Sequence, residues 1–364
     1  MSDVAPLEAE IRRRISAAGP MPVGEYMALC LGDPAHGYYT TRDPFGARGD
    51  FITAPEISQM FGEMIGLWMA AVWRQMGEPK NVRIVELGPG RGTMMKDALR
   101  AAKVMPGFLE AVVVHLVEIS PTLEATQQRT LEPLGMPLYW HRSLADVPPG
   151  AAIVVANEFF DALPVSQAVK TEDGWYERLI DLDASGQLAF TIAPEPLPHF
   201  ELLLAPAVRN APDGSIFEWR TDTLGIELGA RLSRDGGAAL VIDYGHAESA
   251  AGETLQALGK HVYANPLIAP GNVDLTAHVD FQALATAVEA MGTASFGPLT
   301  QSQFLRRLGI VTRAAKLKAN AADAAATDMA LKRLISEGEA GMGTLFKAAA
   351  FAHPKLGVPP GFET

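Results

Sequence analysis

The sequence predicts an α/β fold built on a doubly wound, mostly parallel sheet. Three observations predict it. Short apolar runs recur with little polar interruption: VRIVEL (82–87), AVVVHLVEI (111–119), AAIVVAN (151–157) and GAALVIDYG (237–245). Strands covered on both faces read this way. Helical segments follow the first two runs, from Thr93 to about Lys103 and from Pro121 to about Leu131, and such alternation favours parallel pairing. A glycine-rich turn, Gly88-Pro89-Gly90-Arg91-Gly92, joins the first strand to its helix. That junction is where sheets of this kind bind ligands.

Composition narrows the class. The chain has 364 residues, which at ~150 residues per domain means two domains or one elaborated domain. Hydrophobic residues make up 48% and charged residues 20%, which excludes a disordered chain. The formal charge is −12, from 42 acidic and 30 basic residues, so nothing draws the whole chain to nucleic acid or an anionic membrane. Cys30 is the single cysteine; an internal disulfide and a cysteine-based zinc site are excluded. The eight histidines show no metal-ligand spacing, and no metal is expected. The N-terminus carries Asp3, Glu8 and Glu10 without an apolar run, unlike a secretory or transit segment. No stretch reaches the ~18 apolar residues of a membrane span. A soluble, cytoplasmic protein is expected.

Taken in order, residues 5–30 read as helical, with Leu7, Ile11 and Ile15 four apart and a break at Gly19-Pro20. Residues 31–55 are turn-rich and patternless, and a stretch of that length is more often functional than idle. Ser58 to Met76 forms an apolar helix whose Met and Trp residues are expected as core against a sheet. LYWH (138–141) is a short third strand. About 80 residues separate AAIVVAN from GAALVIDYG, where a simple crossover needs ~30. Within them, residues 166–192 alternate like a β-hairpin with turns at Asp173-Gly174 and Ser185-Gly186. Residues 301–340 read as helical and end before a last apolar run, TLFKAAAFA.

The sharpest motif is Glu86-Leu-Gly88-Pro-Gly90-Arg-Gly92. Its spacing is G-x-G-x-G rather than the G-x-G-x-x-G of pyrophosphate sites. Glycines let the backbone turn tightly and approach a ligand. Glu118 closes the second strand, placed to accept hydrogen bonds from both hydroxyls of a ribose. Either feature alone also fits a plain turn or a solvated strand end. Together they favour a ribose-bearing cofactor.

The G-x-G-x-G turn with an acidic second strand end resembles class I S-adenosylmethionine-dependent methyltransferases. Five blocks narrow this: GDFITAPEISQMFGE (49–63), ELGPGRGTMMKDALR (86–100), NEFFDALP (157–164), DYGH (243–246) and VDLTAHVDF (273–281). In this order, and over essentially the whole chain, they resemble the MidA family, the mitochondrial complex I assembly-factor arginine methyltransferases and their bacterial relatives. The resemblance implies a Rossmann-like core with a seven-stranded, mostly parallel sheet over residues 81–364. It implies an N-terminal helical cap over 1–80, with insertions at about 165–236 and 300–340. It also implies S-adenosyl-L-methionine as cofactor and symmetric dimethylation of an arginine on a core subunit of respiratory complex I. Carried over by residue, Glu86, Gly88, Gly90 and Gly92 would hold the methionine end and Glu118 the ribose, with Asn157 also binding the cofactor. Ser143 and Leu144 would wall the adenine. Thr53, Pro55 and Glu56 would belong to a lid.

The residues after the fourth strand, Asn157-Glu158-Phe159-Phe160-Asp161, lie where this architecture places its ligand crevice. An arginine substrate stays protonated, with a pKa above ~12. Carboxylates must therefore grip its guanidinium and steer one nitrogen. Glu158 and Asp161 are the candidates, with Phe159 and Phe160 as pocket walls. The competing reading makes the two acids helix-dipole partners and the rings core. Tyr244, His278 and Asp280 are further substrate candidates, the last two sharing a face if they lie on one strand. The paired-glutamate loop of other arginine methyltransferases is absent, so the second carboxylate is inferred. Three functions remain open from the sequence: a protein-arginine methyltransferase, a small-molecule methyltransferase, and a cofactor-binding assembly chaperone with little turnover. The sequence leaves the oligomeric state undetermined.

Overall fold

The computed structural model describes residues 5–42, 53–259, 262–319, 323–338 and 341–363. Residues 43–52 of the turn-rich stretch therefore lie outside the described residues. The chain forms two compact units, one of Met1–Pro44, Asp161–Thr221 and Glu248–Asp280, the other of Phe45–Phe160, Asp222–Ala247 and Phe281–Thr364.

The second unit holds the sheet that the apolar runs predict. Its strands are β1 (Val82–Leu87), β2 (Val112–Val117), β3 (Leu138–His141), β4 (Ala152–Asn157), β5 (Gly237–His246), β6 (Ala294–Thr300) and β7 (Phe346–Ala352). They lie in the order β6-β7-β5-β4-β1-β2-β3. The five strands from β5 to β3 are parallel, while β7 runs antiparallel between β5 and β6. Every residue of β4 is buried, as a central strand covered on both faces requires.

On one face, Ile84, Val114, Ile153, Val155, Leu240 and Ile242 pack with Trp68 and Met69 of helix α1 (Gln59–Gln75). Ser58 starts α1 by accepting a hydrogen bond from the Met60 N–H. Helix α2 (Thr93–Ala102) lies against α1 with backbones nearly touching. A Cβ on Gly66 would come 2.1 Å from the Ala98 carbonyl oxygen, so only glycine permits this approach. The helices Gln301–Arg307, Ile310–Lys318 and Ala324–Ile335 feed Phe304, Leu305, Ile310 and Leu334 into the same core. Buried Glu63 of α1 ties one of them down through two bonds from Arg313, 2.6 and 2.8 Å. Helix α3 (Pro121–Leu131), capped by Ser120, follows β2. Helices α4 (Thr223–Asp235) and α5 (Phe281–Glu289) pack on each other and on β5 and β7.

The first unit opens with the helices Pro6–Ala18 and Val23–Gly32, separated by a break at Gly19-Pro20. The predicted hairpin is part of a larger antiparallel sheet of Met21–Pro22, Gly174–Leu182, Ser166–Thr171, Ile216–Trp219 and Leu188–Ile192. Trp175, Val208 and Phe217 form its core. No helix among the described residues is long and apolar enough to cross a membrane.

Candidate functional site

The parallel strands of the second unit end at one edge, and the site grows from there. After β1 the chain turns through Gly88 (φ +62°), Gly90 (φ +54°) and Gly92 (φ +80°) before α2 begins at Thr93. Phe159 covers this turn: a Cβ on Gly88 would lie 2.6 Å from its Cδ2. A cavity opens beside the turn. Its lining combines Glu86, Gly88, Gly90 and Arg91 with Thr53, Pro55 and Glu56 near the short helix Ala54–Ile57, and with Asn157 and Glu158 at the end of β4. The short helix is fastened to α2, where the Thr93 hydroxyl donates to Glu56 Oε1 at 2.6 Å.

The cavity wants a positive ligand. Burial, and then the charge of Glu118, push the Glu86 carboxyl up to about 8. Glu86 Oε2 and Asn157 Oδ1 are buried acceptors with no hydrogen-bond partner among the described residues. Such atoms cost roughly 1–3 kcal/mol each unless a donor arrives. An ammonium group beside a sulfonium suits both atoms and the open glycine backbone. The methionine end of S-adenosyl-L-methionine carries that pair of charges.

Glu158 sits in the left-handed region (φ +51°) directly after β4. Its Oε1 accepts from the Ala54 N–H and from the Asn157 side-chain amide, both at 3.0 Å. The turn is held from behind by Asp243, fully buried at the end of β5. Asp243 Oδ2 accepts from the N–H groups of Phe159 (3.1 Å) and Phe160 (2.9 Å), and Oδ1 from that of Tyr244 (3.0 Å). Asp243→Asn would replace an acceptor by an amide facing N–H donors or force a flip. The expected loss of about 1–3 kcal/mol should appear as a lower melting temperature. An unchanged melt would mean that the carboxylate does not hold the turn.

Glu118, next to the glycine turn through Gln127, accepts from the Ser120 N–H on Oε1 at 2.8 Å and from Gln127 Nε2 on Oε2 at 3.0 Å. Ser143 and Leu144 follow β3, outside the residues that line the cavity. Ser143 donates through its hydroxyl and N–H to Asp146 Oδ2 in a capping box, and Leu144 is buried. The half-buried Tyr244 packs edge-on against Phe346, with ring centroids 5.4 Å apart.

Asp161, His278 and Asp280 belong to the first unit. There the Asp161 carbonyl accepts from the Ala277 N–H and from Arg220, whose guanidinium also reaches the carbonyls of Leu163, Ala277 and His278. His278 and Asp280 do not share one strand. The strand Asp274–Thr276 ends before His278, and a separate two-residue strand begins at Val279; the His278 backbone between them is bonded to Arg220 and the Thr254 hydroxyl instead. Thr93, Gln127, Asp243 and Arg220 are the parts that sequence reasoning missed.

A family model described as "Putative S-adenosyl-L-methionine-dependent methyltransferase" matches residues 64–299. The chain is 40% identical over 339 residues to the human mitochondrial protein arginine methyltransferase NDUFAF7, covering 85% of this chain and 75% of the relative. It is 38% identical over 345 residues to the Drosophila melanogaster homolog of that protein, covering 86% of this chain and 77% of the relative. Among solved structures, a Burkholderia thailandensis protein bound to S-adenosyl-homocysteine superposes with a TM-score of 0.85 at 30% identity, over 98% of this chain and 92% of that one. A strand order of this kind, with these relatives across most of its length, leaves one conclusion: the chain belongs to the MidA family of class I S-adenosyl-L-methionine-dependent methyltransferases.

Proposed function

We propose that the enzyme methylates an arginine of a protein in the bacterial cytoplasm, that the target is a core subunit of respiratory complex I, and that the product is symmetric dimethylarginine. The curated relatives are named protein arginine methyltransferases, and the MidA resemblance points to complex I. The observation that carries the reading is the Glu158 carboxylate, gripped through Oε1 and lining the same cavity as Glu86 and Asn157.

When bound, the cofactor supplies an electrophilic methyl group on a sulfonium. Glu86 and Asn157 accept from its ammonium, and the backbone of Gly88, Gly90 and Gly92 gives it room. Glu118 takes the ribose, Ser143 and Leu144 flank the adenine, and Thr53, Pro55 and Glu56 close over the cavity. Glu158 accepts from the substrate guanidinium and draws its positive charge away from the nitrogen to be methylated. As that nitrogen gains the methyl group and leaves a neutral thioether behind, it gives one N–H proton to water and the product stays a guanidinium. Asp161, three residues on, is the candidate second carboxylate. Phe159 and Phe160 wall the pocket, Tyr244 orients the substrate, and His278 and Asp280 contact the target protein. Positioning two reactants in this way supplies roughly 7–11 kcal/mol, so little proton machinery is needed. The elaborations at 1–80, 165–236 and 300–340 serve target recognition.

Mass spectrometry of complex I subunits from a strain lacking the gene tests the target. Symmetric dimethylarginine should be missing from one core subunit and return with the native gene. A subunit set with unchanged arginines would contradict the proposal.

Glu86 adds a proton signature. Its carboxyl is raised from 4.5 to about 8, so at pH 7 the ligand-free protein holds it mostly protonated. An ammonium in the cavity favours the carboxylate, and binding then expels a proton. Affinity for S-adenosyl-homocysteine should rise from pH 6 to 8. Calorimetry at pH 7 in buffers of different protonation enthalpy should show release approaching one proton per site, to the order of magnitude allowed by linkage. A buffer-independent enthalpy would rule out this role. The same raised value makes the ligand-free fold lose stability as pH climbs from the unfolded value through about 8, since the folded state holds the extra proton.

A further inference from the structure

We infer that Gln127 is the positioning residue that couples the glycine turn to the ribose carboxylate, and that ribose recognition depends on it as much as on Glu118. The inference rests on the reading of Glu118 as the ribose acceptor. Gln127 lies on α3, fully buried. Its amide is engaged at both ends: Nε2 donates to the Gly90 carbonyl at 2.8 Å and to Glu118 Oε2 at 3.0 Å, and Oε1 accepts from the Trp140 indole N–H at 2.9 Å.

Three consequences follow from that wiring. Trp140, on β3, offers only a donor, so it fixes which end of the amide is oxygen. A flipped amide would set its oxygen against both the Gly90 carbonyl and a carboxylate. The two N–H groups therefore always face the cofactor side. Glu118 in turn has one oxygen held by the Ser120 N–H and the other by Gln127. A carboxylate has about four accepting sites in all, and those the protein donors leave open can take a ribose hydroxyl. Burial raises the Glu118 carboxyl above its ordinary value, and the Ser120 and Gln127 donors pull it back toward the charged form. Finally, the Gly90 carbonyl is pinned within the glycine turn. One side chain thus sets the distance between the loop and the ribose carboxylate.

Calorimetry with S-adenosyl-homocysteine and with 5′-methylthioadenosine, which keeps the ribose but lacks the amino acid, tests this on the full chain. Gln127→Met should weaken both ligands by the same factor, about tenfold or more, the scale of a lost bond to a charged group. Glu118→Gln should weaken both as well. The double variant should be no weaker than Glu118→Gln alone within about twofold, because linked groups are not additive. Trp140→Phe, which keeps Gln127 but releases its orientation, should weaken both by about threefold. It carries the test if Gln127→Met does not fold. A folded Gln127→Met protein, or failing that Trp140→Phe, that binds both ligands as the native one does would overturn the inference. So would a loss confined to S-adenosyl-homocysteine, or fully additive losses. A Glu118→Gln protein with native affinity for methylthioadenosine would instead overturn the ribose reading beneath it.

Discussion

Replacing Glu158 by Gln is expected to lower turnover on the order of 10²–10³-fold, the effect of removing one preorganised charge partner of the reacting group. Affinity for S-adenosyl-homocysteine should stay within about threefold, since that ligand lacks the substrate guanidinium. The geometry supports so clean a substitution. Glu158 Oε1 accepts two hydrogen bonds, from the Ala54 N–H and the Asn157 amide, and a glutamine oxygen can accept both. The left-handed turn and the Asp243 clamp are untouched. The negative charge is lost and Oε2 becomes an amide nitrogen, and a guanidinium needs a charged acceptor to be held. Steady-state turnover with calorimetric affinity decides the matter. Full activity in the variant would remove Glu158 from the chemistry, and a parallel loss of cofactor affinity would move it to the cofactor site.

The largest effect on binding is expected at the glycine turn. Gly88→Ala places a methyl group at φ +62°, 2.6 Å from Phe159 Cδ2. The left-handed backbone alone costs a non-glycine residue about 1–2 kcal/mol. The clash adds to that, because Phe159 cannot retreat freely while its N–H is bonded to Asp243. Affinity for S-adenosyl-homocysteine should fall by about 100-fold or more, the equivalent of roughly 3 kcal/mol. Gly77→Ala is the matched control. It carries the same strain at φ +86° with nothing within 4 Å of the new methyl. It should lower the melting temperature and leave binding intact. Equal binding losses in the two variants would show that general destabilisation, not the turn, is being measured.

Much of this architecture is legible in the residues because the parallel strands are buried on both faces. VRIVEL and LYWH coincide with β1 and β3, and the runs for β2, β4 and β5 end within two residues of the strands. Strand β6 is not legible. Its ASFGPLT places Gly-Pro at a bulge, and only intermediate or exposed positions follow one another there, so neither an apolar run nor an alternation marks it. The antiparallel sheet of the first unit shows its turns but not its fourth long partner, Ile216–Trp219, which pairs with Ser166–Thr171 across some 45 residues of chain.

The residues gathered at the cavity, Glu86, Gly88, Gly90, Asn157 and Glu158, follow from one rule: ligand groups collect at the C-terminal ends of parallel strands. The residues behind them needed a different question. Leu123, Gln127 and Leu131 form a buried stripe four residues apart on α3, and a glutamine in an apolar stripe signals a buried polar contact. Asp243 sends the same signal, as a carboxylate closing an otherwise apolar run. The partners of both lie on other elements, and local pattern carries no information about those distances. The sequence leaves open whether His278 and Asp280 share a strand, because the Arg220 clasp on this stretch is a tertiary effect.

Transfer of a methyl group to a protein arginine can be read directly from where the label goes. Purified enzyme and S-adenosyl-L-methionine labelled on the methyl group are added to lysate from a strain lacking the gene. The labelled material is then hydrolysed and identified. Label is expected in symmetric dimethylarginine of a protein, with the signal cut by Glu158→Gln in proportion to its turnover. Label recovered in a small molecule, or on a residue other than arginine, would contradict it.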